Sequence, residues 1–169
     1  PYTTLFRSTS DQGFLLGEHG LYDKRFMYEE SFRTPLIISC PSLVKKHSVC
    51  KELVQNIDLA PTFLSLAGVE VPKEMSGRSL LPLFKNGKAE NWRNELYYHF
   101  YDYPAVGSVR KHDGIRTKRY KLIHWYGEGS GNDEAIDFWE LYDLKKDVME
   151  VNNVYDNPKY VKRSEERRV

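Results

Sequence analysis

"TSDQGFLLGEHGLYDKRFMYEESFRTPLII" runs from Thr9 to Ile38 and holds the densest set of polar groups in the chain. From Thr9 to Arg33 it mixes glycine, charge and aromatics with no helical or strand period. That texture reads as loop with room for one short helix. It then passes into "PLIISCP" (Pro35–Pro41), a short apolar run between prolines, which reads as a buried strand of a mostly parallel sheet. Near its start, Ser10-Asp11-Gln12-Gly13 sets a carboxylate beside a carboxamide. Oxygen donors of this kind suit a hard cation such as Ca²⁺ or Mg²⁺, although two groups do not fill such a shell.

Downstream, "NIDLAPTFLSLAGV" (56–69) carries helix punctuation: Asp58 to cap, Pro61 in the first turn, and Leu59, Phe63, Leu66 and Ala67 on one face. Gly68 is placed to stop it. "GRSLLPLFKNG" (77–87) predicts a second short helix ended by Asn86-Gly87. The texture changes after that. "NELYYHFYDY", "KHDGIRTKRYKLIHWY" and "DFWELYDL" are aromatic and β-branched runs separated by turn residues, which predict an antiparallel sheet of three or four strands. Loop, strand, helices and then antiparallel strands make an α/β edge followed by an α+β subdomain, with a boundary expected between Lys85 and Trp92.

Composition narrows the class. Net charge is +1 and hydrophobic content 40%, so no global field draws the chain to nucleic acid or a membrane surface. No apolar run approaches a membrane span. Two cysteines, Cys40 and Cys50, make no disulfide framework, and their pairing stays open.

The order of these pieces carries a resemblance. Asp11-Gln12-Gly13, Leu16-Gly17-Glu18-His19-Gly20, Lys24 and "YEESFRTPLII" are followed in register by "IDLAPTFLSLAGVEVP", "MSGRSLLPLFKNG", "WRNELYYHFYDYP", "HDGIRTKRYKLIHWY" and "WELYDLKKD". Together they resemble the sulfatase family of the alkaline-phosphatase-like superfamily over nearly all of Thr9–Val161, with the look of its bacterial N-acetylglucosamine-6-sulfatase-like members. The fold class this implies is α/β: the C-terminal part of an alkaline-phosphatase-like fold, ending in a small antiparallel subdomain with a packed helix. Residue by residue, Asp11 matches a metal-binding aspartate and Gln12 the ligand beside it, where the family more often has Asn or His. Lys24 matches a lysine that contacts the sulfate. The resemblance implies that Asp23, Arg25 and His112 bind the sugar, with His19 lining the site or satisfying its loop. Tyr28, Glu29, Glu30 and Arg33 are expected as supports, the acids partnered by arginine.

The same resemblance implies one Ca²⁺ and a formylglycine nucleophile made within a Cys/Ser-x-Pro-x-Arg motif, acting on a sulfated carbohydrate, with export to the periplasm, cell surface or medium. Within these residues only "SCPSL" (Ser39–Leu43) approaches the motif, and Leu43 stands in place of its arginine. It reads as a strand end, so the chain alone is expected to be catalytically incomplete. Two rival readings are a phosphodiesterase or phosphotransferase of the same superfamily, and a non-catalytic carbohydrate-binding module using Trp125 and Trp139.

The two ends match each other at codon level. Tyr2–Ser8 back-translated as TAC-ACG-ACG-CTC-TTC-CGA-TCT has a reverse complement that reads Arg163–Val169 in order. Folding physics gives no reason for this, and the stretch resembles a synthetic sequencing adapter. Residues 1–8 and 163–169 are therefore expected to be adapter-derived scars. That leaves 9–88 as the end of the catalytic α/β domain and 89–162 as the antiparallel subdomain.

Overall fold

The computed structural model describes residues 6–104, 108–129 and 134–162. Of the expected scars, only Phe6–Ser8 fall among them; residues 163–169 lie outside. The chain divides into two compact units. One comprises the residues up to Asp11 together with Pro35–Asn94, and the other Gln12–Thr34 together with Glu95 onward. The Gln12–Thr34 loop thus groups with the C-terminal sheet, and the last division along the chain falls after Asn94.

In the first unit, β1 (Phe6–Thr9) pairs antiparallel with β2 (Leu36–Ser39) in a two-stranded sheet. The expected parallel, buried environment of β2 is therefore not what these residues build. Alternate side chains of β2 are half-buried and exposed, the pattern of a strand with one solvated face. Its inward residues, Leu36 and Ile38, pack on a cluster formed by Leu80, Leu83 and Phe84. α2 (Leu59–Leu66) ends at Gly68, whose φ of 70° is the left-handed conformation that closes a helix. α3 (Leu81–Phe84) is a single turn stopped at Gly87.

The predicted α2 cap takes another role. Asp58 is fully buried and makes no side-chain cap bond to α2. Its carboxylate accepts the Gln55 and Arg78 amides, each at 2.8 Å, and a two-pronged ion pair from Arg93. A buried carboxylate needs that many donors to offset its lost hydration. The buried face of α2 is accordingly Pro61 and Thr62, not the Phe63 side. Thr62 donates to the Asp58 carbonyl and accepts the Leu80 amide.

The second unit is built on the expected sheet. β3 (Glu95–Phe100), β4 (Lys111–Thr117), β5 (Tyr120–Gly127) and β6 (Ile136–Asp143) pair antiparallel in sequence order. Register aligns Phe100, His112, Trp125 and Phe138 in one row, Tyr98, Gly114, Ile123 and Glu140 in the next, and Leu96, Arg116, Lys121 and Tyr142 in a third. Strand alternation puts these rows on one face. That face packs against the Gln12–Thr34 loop through Leu15, Met27, Tyr28, Phe26 and Phe32. The helix packed on the sheet is one turn, α1 (Glu29–Phe32), whose Phe32 ring meets Tyr98 edge-on.

One inward position on β5 is a lysine. Lys121 is fully buried, and its ammonium lies 2.9 Å from Glu29, 2.7 Å from Glu150 and 2.6 Å from the Met27 carbonyl it donates to. The Glu150 contact is an ion pair outside hydrogen-bond alignment. The other oxygen of Glu150 accepts the Glu29 amide at 2.6 Å. Arg116 grips Glu29 from the neighbouring strand at 3.2 and 3.1 Å. Burial acts to raise the Glu29 carboxyl, but Lys121 and Arg116 outweigh it and hold it at about 2. Burial pushes Glu150 up, with Lys121 acting against it.

Lys121→Ala leaves the buried Glu150 without its cation and Glu29 with Arg116 alone. It is expected to lower the unfolding free energy by about 3–5 kcal/mol, read by urea denaturation at neutral pH. Glu29 is depressed from 4.5 to about 2, so its stabilisation is complete above its unfolded value and is lost as pH falls through its folded one. Glu29→Gln should lack that component of acid lability, seen as a shallower fall in stability than the parent chain across this window.

Candidate functional site

The Gln12–Thr34 loop carries most of the expected site residues, and its own backbone folds it. The amides of Gly13, Phe14 and Leu15 donate to the carbonyls of Ser31, Glu30 and Asp23 at 2.7–2.9 Å. Gly13 is required by closeness: a Cβ there would stand 1.9 Å from the Glu30 carbonyl oxygen. This anchoring sets where the loop's polar side chains start.

Asp23, Lys24 and Arg25 form the centre of the loop. The Asp23 carboxylate accepts the Lys24 and Arg25 amides, and Arg25 Nη1 reaches both of its oxygens at 2.8 Å. These two charges are mostly buried and neutralise each other: side-chain exposure is 15% for Asp23 and 28% for Arg25. Lys24, half-buried between them, is bonded through its backbone. Its amide goes to Asp23 and its carbonyl accepts the Ser31 hydroxyl. Among the described residues, no bond or ion pair of the Lys24 ammonium accompanies these. The run thus carries one positive charge at Lys24, set beside a closed pair. A fixed ammonium of this kind stabilises negative charge building on a transferring group, or protonates its leaving oxygen.

His19 sits at a left-handed φ of 55°, a conformation uncommon for residues other than glycine and kept where the surroundings hold it. Two contacts do so: the ring stacks on Tyr28 at 4.2 Å and Nε2 lies 3.5 Å from Glu30. Both contacts are to residues of the same loop. Tyr28 in turn donates to Glu140, which also accepts the Trp125 indole N–H at 2.8 Å.

His112 stands on the inner face of β4 and is fully buried. Its ring lies against Trp125 at 4.3 Å, with Tyr98 and Phe100 beyond 5 Å. Nδ1 lies 2.9 Å from the Arg110 carbonyl, which only accepts, so Nδ1 carries the proton and Nε2 is the bare nitrogen. Nε2 has no hydrogen-bond partner. Burial lowers its pKa to about 4 despite the Arg110 bond. The described residues therefore hold His112 as a neutral core imidazole rather than presenting it to solvent.

The two expected metal ligands are adjacent in sequence. Asp11 is exposed, with Oδ1 accepting the Ser10 hydroxyl at 3.2 Å and its backbone carbonyl accepting from Asn56 at 2.9 Å. Gln12 follows, half-buried. Their oxygens fit a hard cation as two members of a larger shell. No group of three His, Cys, Asp or Glu side chains able to hold a metal occurs among the described residues.

The supports were only partly foreseen. Glu29 is partnered by Arg116 and Lys121, whereas Arg33 is exposed. The signal for Lys121 was present in the strand alternation, which puts it on the face of Ile123 and Trp125. Trp125 is a core ring and not a platform, and Trp139 is stacked flat on His124 at 4.1 Å. Cys40 and Cys50 are both free thiols. No helix among the described residues is long and apolar enough to cross a membrane.

Comparison with known proteins agrees with this architecture. The family model described as N-sulphoglucosamine sulphohydrolase, C-terminal, matches residues 17–167. The chain is 50% identical over 165 residues to an N-acetylglucosamine-6-O-sulfatase of Bacteroides thetaiotaomicron, covering 96% of this chain and 28% of that protein. It is 34% identical over 169 residues to the multifunctional alkaline phosphatase superfamily protein PehA of Trinickia caryophylli, covering 93% of this chain and 31% of that one. A solved structure in complex with its substrate D-glucosamine-2-N,6-O-disulfate superposes with a TM-score of 0.87 at 50% identity, over 96% of this chain and 32% of that one. The fold is thus of the alkaline-phosphatase-like group, and the chain spans less than a third of the length of these relatives.

Asp23→Ala removes the acceptor shared by the Lys24 and Arg25 amides and frees the Arg25 guanidinium. Amide hydrogen exchange at Lys24 and Arg25 should accelerate by about tenfold or more, the worth of a charge-assisted bond, while amides of β4 and β5 keep their protection.

Proposed function

The chain belongs to the N-sulphoglucosamine sulphohydrolase C-terminal family of sulfatases, and on that premise we propose that it supplies the sulfate-contacting and part of the metal-binding groups of an enzyme hydrolysing sulfate esters of a sulfated amino sugar. The observation that carries the proposal is the charge arrangement at Asp23-Lys24-Arg25. The outer two close on each other, and the middle ammonium is left for an anion.

In this reading Lys24 meets the sulfuryl oxygens and the ester oxygen. Attack on sulfur breaks the sulfur–oxygen ester bond and leaves negative charge on both, which a fixed ammonium stabilises or protonates. Asp11 and Gln12 would hold a hard divalent cation, Ca²⁺ by family, which supplies further positive charge toward the sulfate. The formylglycine nucleophile is expected from a segment other than these residues, because Leu43 breaks the one near-motif. Asp23 and Arg25 are proposed to bind sugar hydroxyls with the faces their mutual bonds leave free. His112 contributes to substrate only if its burial changes in the assembled enzyme. A sulfated glycan substrate also implies work outside the cytoplasm, in periplasm, at the cell surface or in the medium. Support for the sugar comes from the N-acetylglucosamine-6-O-sulfatase relative at 50% identity.

The test replaces the matching C-terminal segment of that Bacteroides enzyme with this chain. The chimera should desulfate 6-O-sulfated N-acetylglucosamine. Lys24→Ala within it should lower kcat by about 10²–10³ without moving the melting temperature. A folded chimera that cleaves phosphate diesters in preference to sulfate esters would favour the phosphodiesterase reading, and an unimpaired Lys24→Ala would remove Lys24 from the chemistry.

A further inference from the structure

We infer that Ser31 is a positioning residue for Lys24, holding the lysine proposed to contact sulfate in register with Gly13, directly after Gln12. The inference rests on the role proposed above for Lys24. Ser31 is 2% exposed and lies in α1. Its hydroxyl donates to the Lys24 carbonyl. Its own carbonyl accepts the amide of Gly13, the residue after Gln12, at 2.7 Å. One residue therefore ties two chain segments eleven positions apart, Gly13 and Lys24, to a common point.

Four further features make that joint stiff. Phe14 donates to the Glu30 carbonyl and Leu15 to the Asp23 carbonyl, at 2.9 and 2.8 Å. The absent Cβ of Gly13 lets its backbone lie directly on that of Glu30. Glu29, two residues before Ser31, is locked by Lys121 and Arg116. A buried hydroxyl is costly unless bonded, and alanine would fill the site's volume nearly as well. Serine is needed for its bond, and the acceptor is the backbone of the residue whose charge is free. Lateral freedom of the Lys24 backbone would be passed to its ammonium, where displacements of about 1 Å cost up to about 10² in rate.

A double-mutant cycle in the chimera described above tests this. Ser31→Ala should lower kcat about tenfold, with KM for 6-O-sulfated N-acetylglucosamine changing much less. In a Lys24→Ala background the same substitution should cost less than twofold, because the group it positions is gone. Any effect on melting temperature should be equal in the two backgrounds. A Ser31→Ala loss of equal size with and without Lys24 would make Ser31 a purely structural residue and overturn the inference, as would a loss below twofold in the parent. If Ser31→Ala does not fold, Ser31→Cys, which swaps a strong donor for a weak one, carries the same cycle. Failure of both to fold also overturns it. Failure of the earlier reading is distinguishable, since there Lys24→Ala itself has no effect.

Discussion

A single buried ammonium organises the C-terminal unit. Lys121 points inward from β5, in a row with Arg116 and Tyr142, and is closed off from solvent. A charge in that position is tolerated only with opposite charge and hydrogen-bond acceptors around it. They come from three places: Glu29 in α1, the Met27 carbonyl before it, and Glu150 beyond β6. Satisfying the lysine draws a loop from early in the chain and a turn from late in it onto the same face of the sheet. The cation also lies 5.6 Å from the centre of the Phe32 ring, which closes the remaining side.

The site inherits its shape from that constraint. With Glu29 held, α1 is placed, and Ser31 reaches back to Gly13 and Lys24. Asp23 then turns the backbone under Lys24 and consumes the charge of Arg25. The outcome is one uncompensated ammonium on a loop braced by backbone bonds, which is the arrangement electrostatic catalysis asks for: charge set in place before the reaction, with little reorganisation left to do. His19 and Tyr28 extend the bracing through a stacked pair that ends on Glu140.

Much was legible in the chain itself, for reasons of local physics. The four antiparallel strands follow from aromatic runs broken by turn residues, and the helix stops at Gly68 and Gly87 follow from glycine's access to left-handed backbone. Lys24 was singled out by its place in the motif order that resembles the sulfatases, and the closing of Asp23 on Arg25 beside it was within reach of local chemistry. Other readings depended on contacts that no local pattern encodes. Asp58 looks like a helix cap, but donors from Arg78 and Arg93 claim its carboxylate. β2 looks like an interior parallel strand, yet β1 pairs with it antiparallel. For His112, the register of β4 decides its neighbours, setting the ring beside Trp125 on the inner face.

The sequence by itself determined the elements, the family and the chemical inventory, because propensity, punctuation and motif order are properties of neighbours along the chain. Only the tertiary structure decided which charges are spent and which remain. Glu29 belongs to Lys121 and Arg116 rather than to the nearer Arg33, and the Ser31 hydroxyl belongs to Lys24. Such assignments depend on distances across segments far apart in sequence. Coulomb attraction and hydrogen bonding act through space, so the division between a neutralised pair and a working charge is settled only when the loop is laid on the sheet.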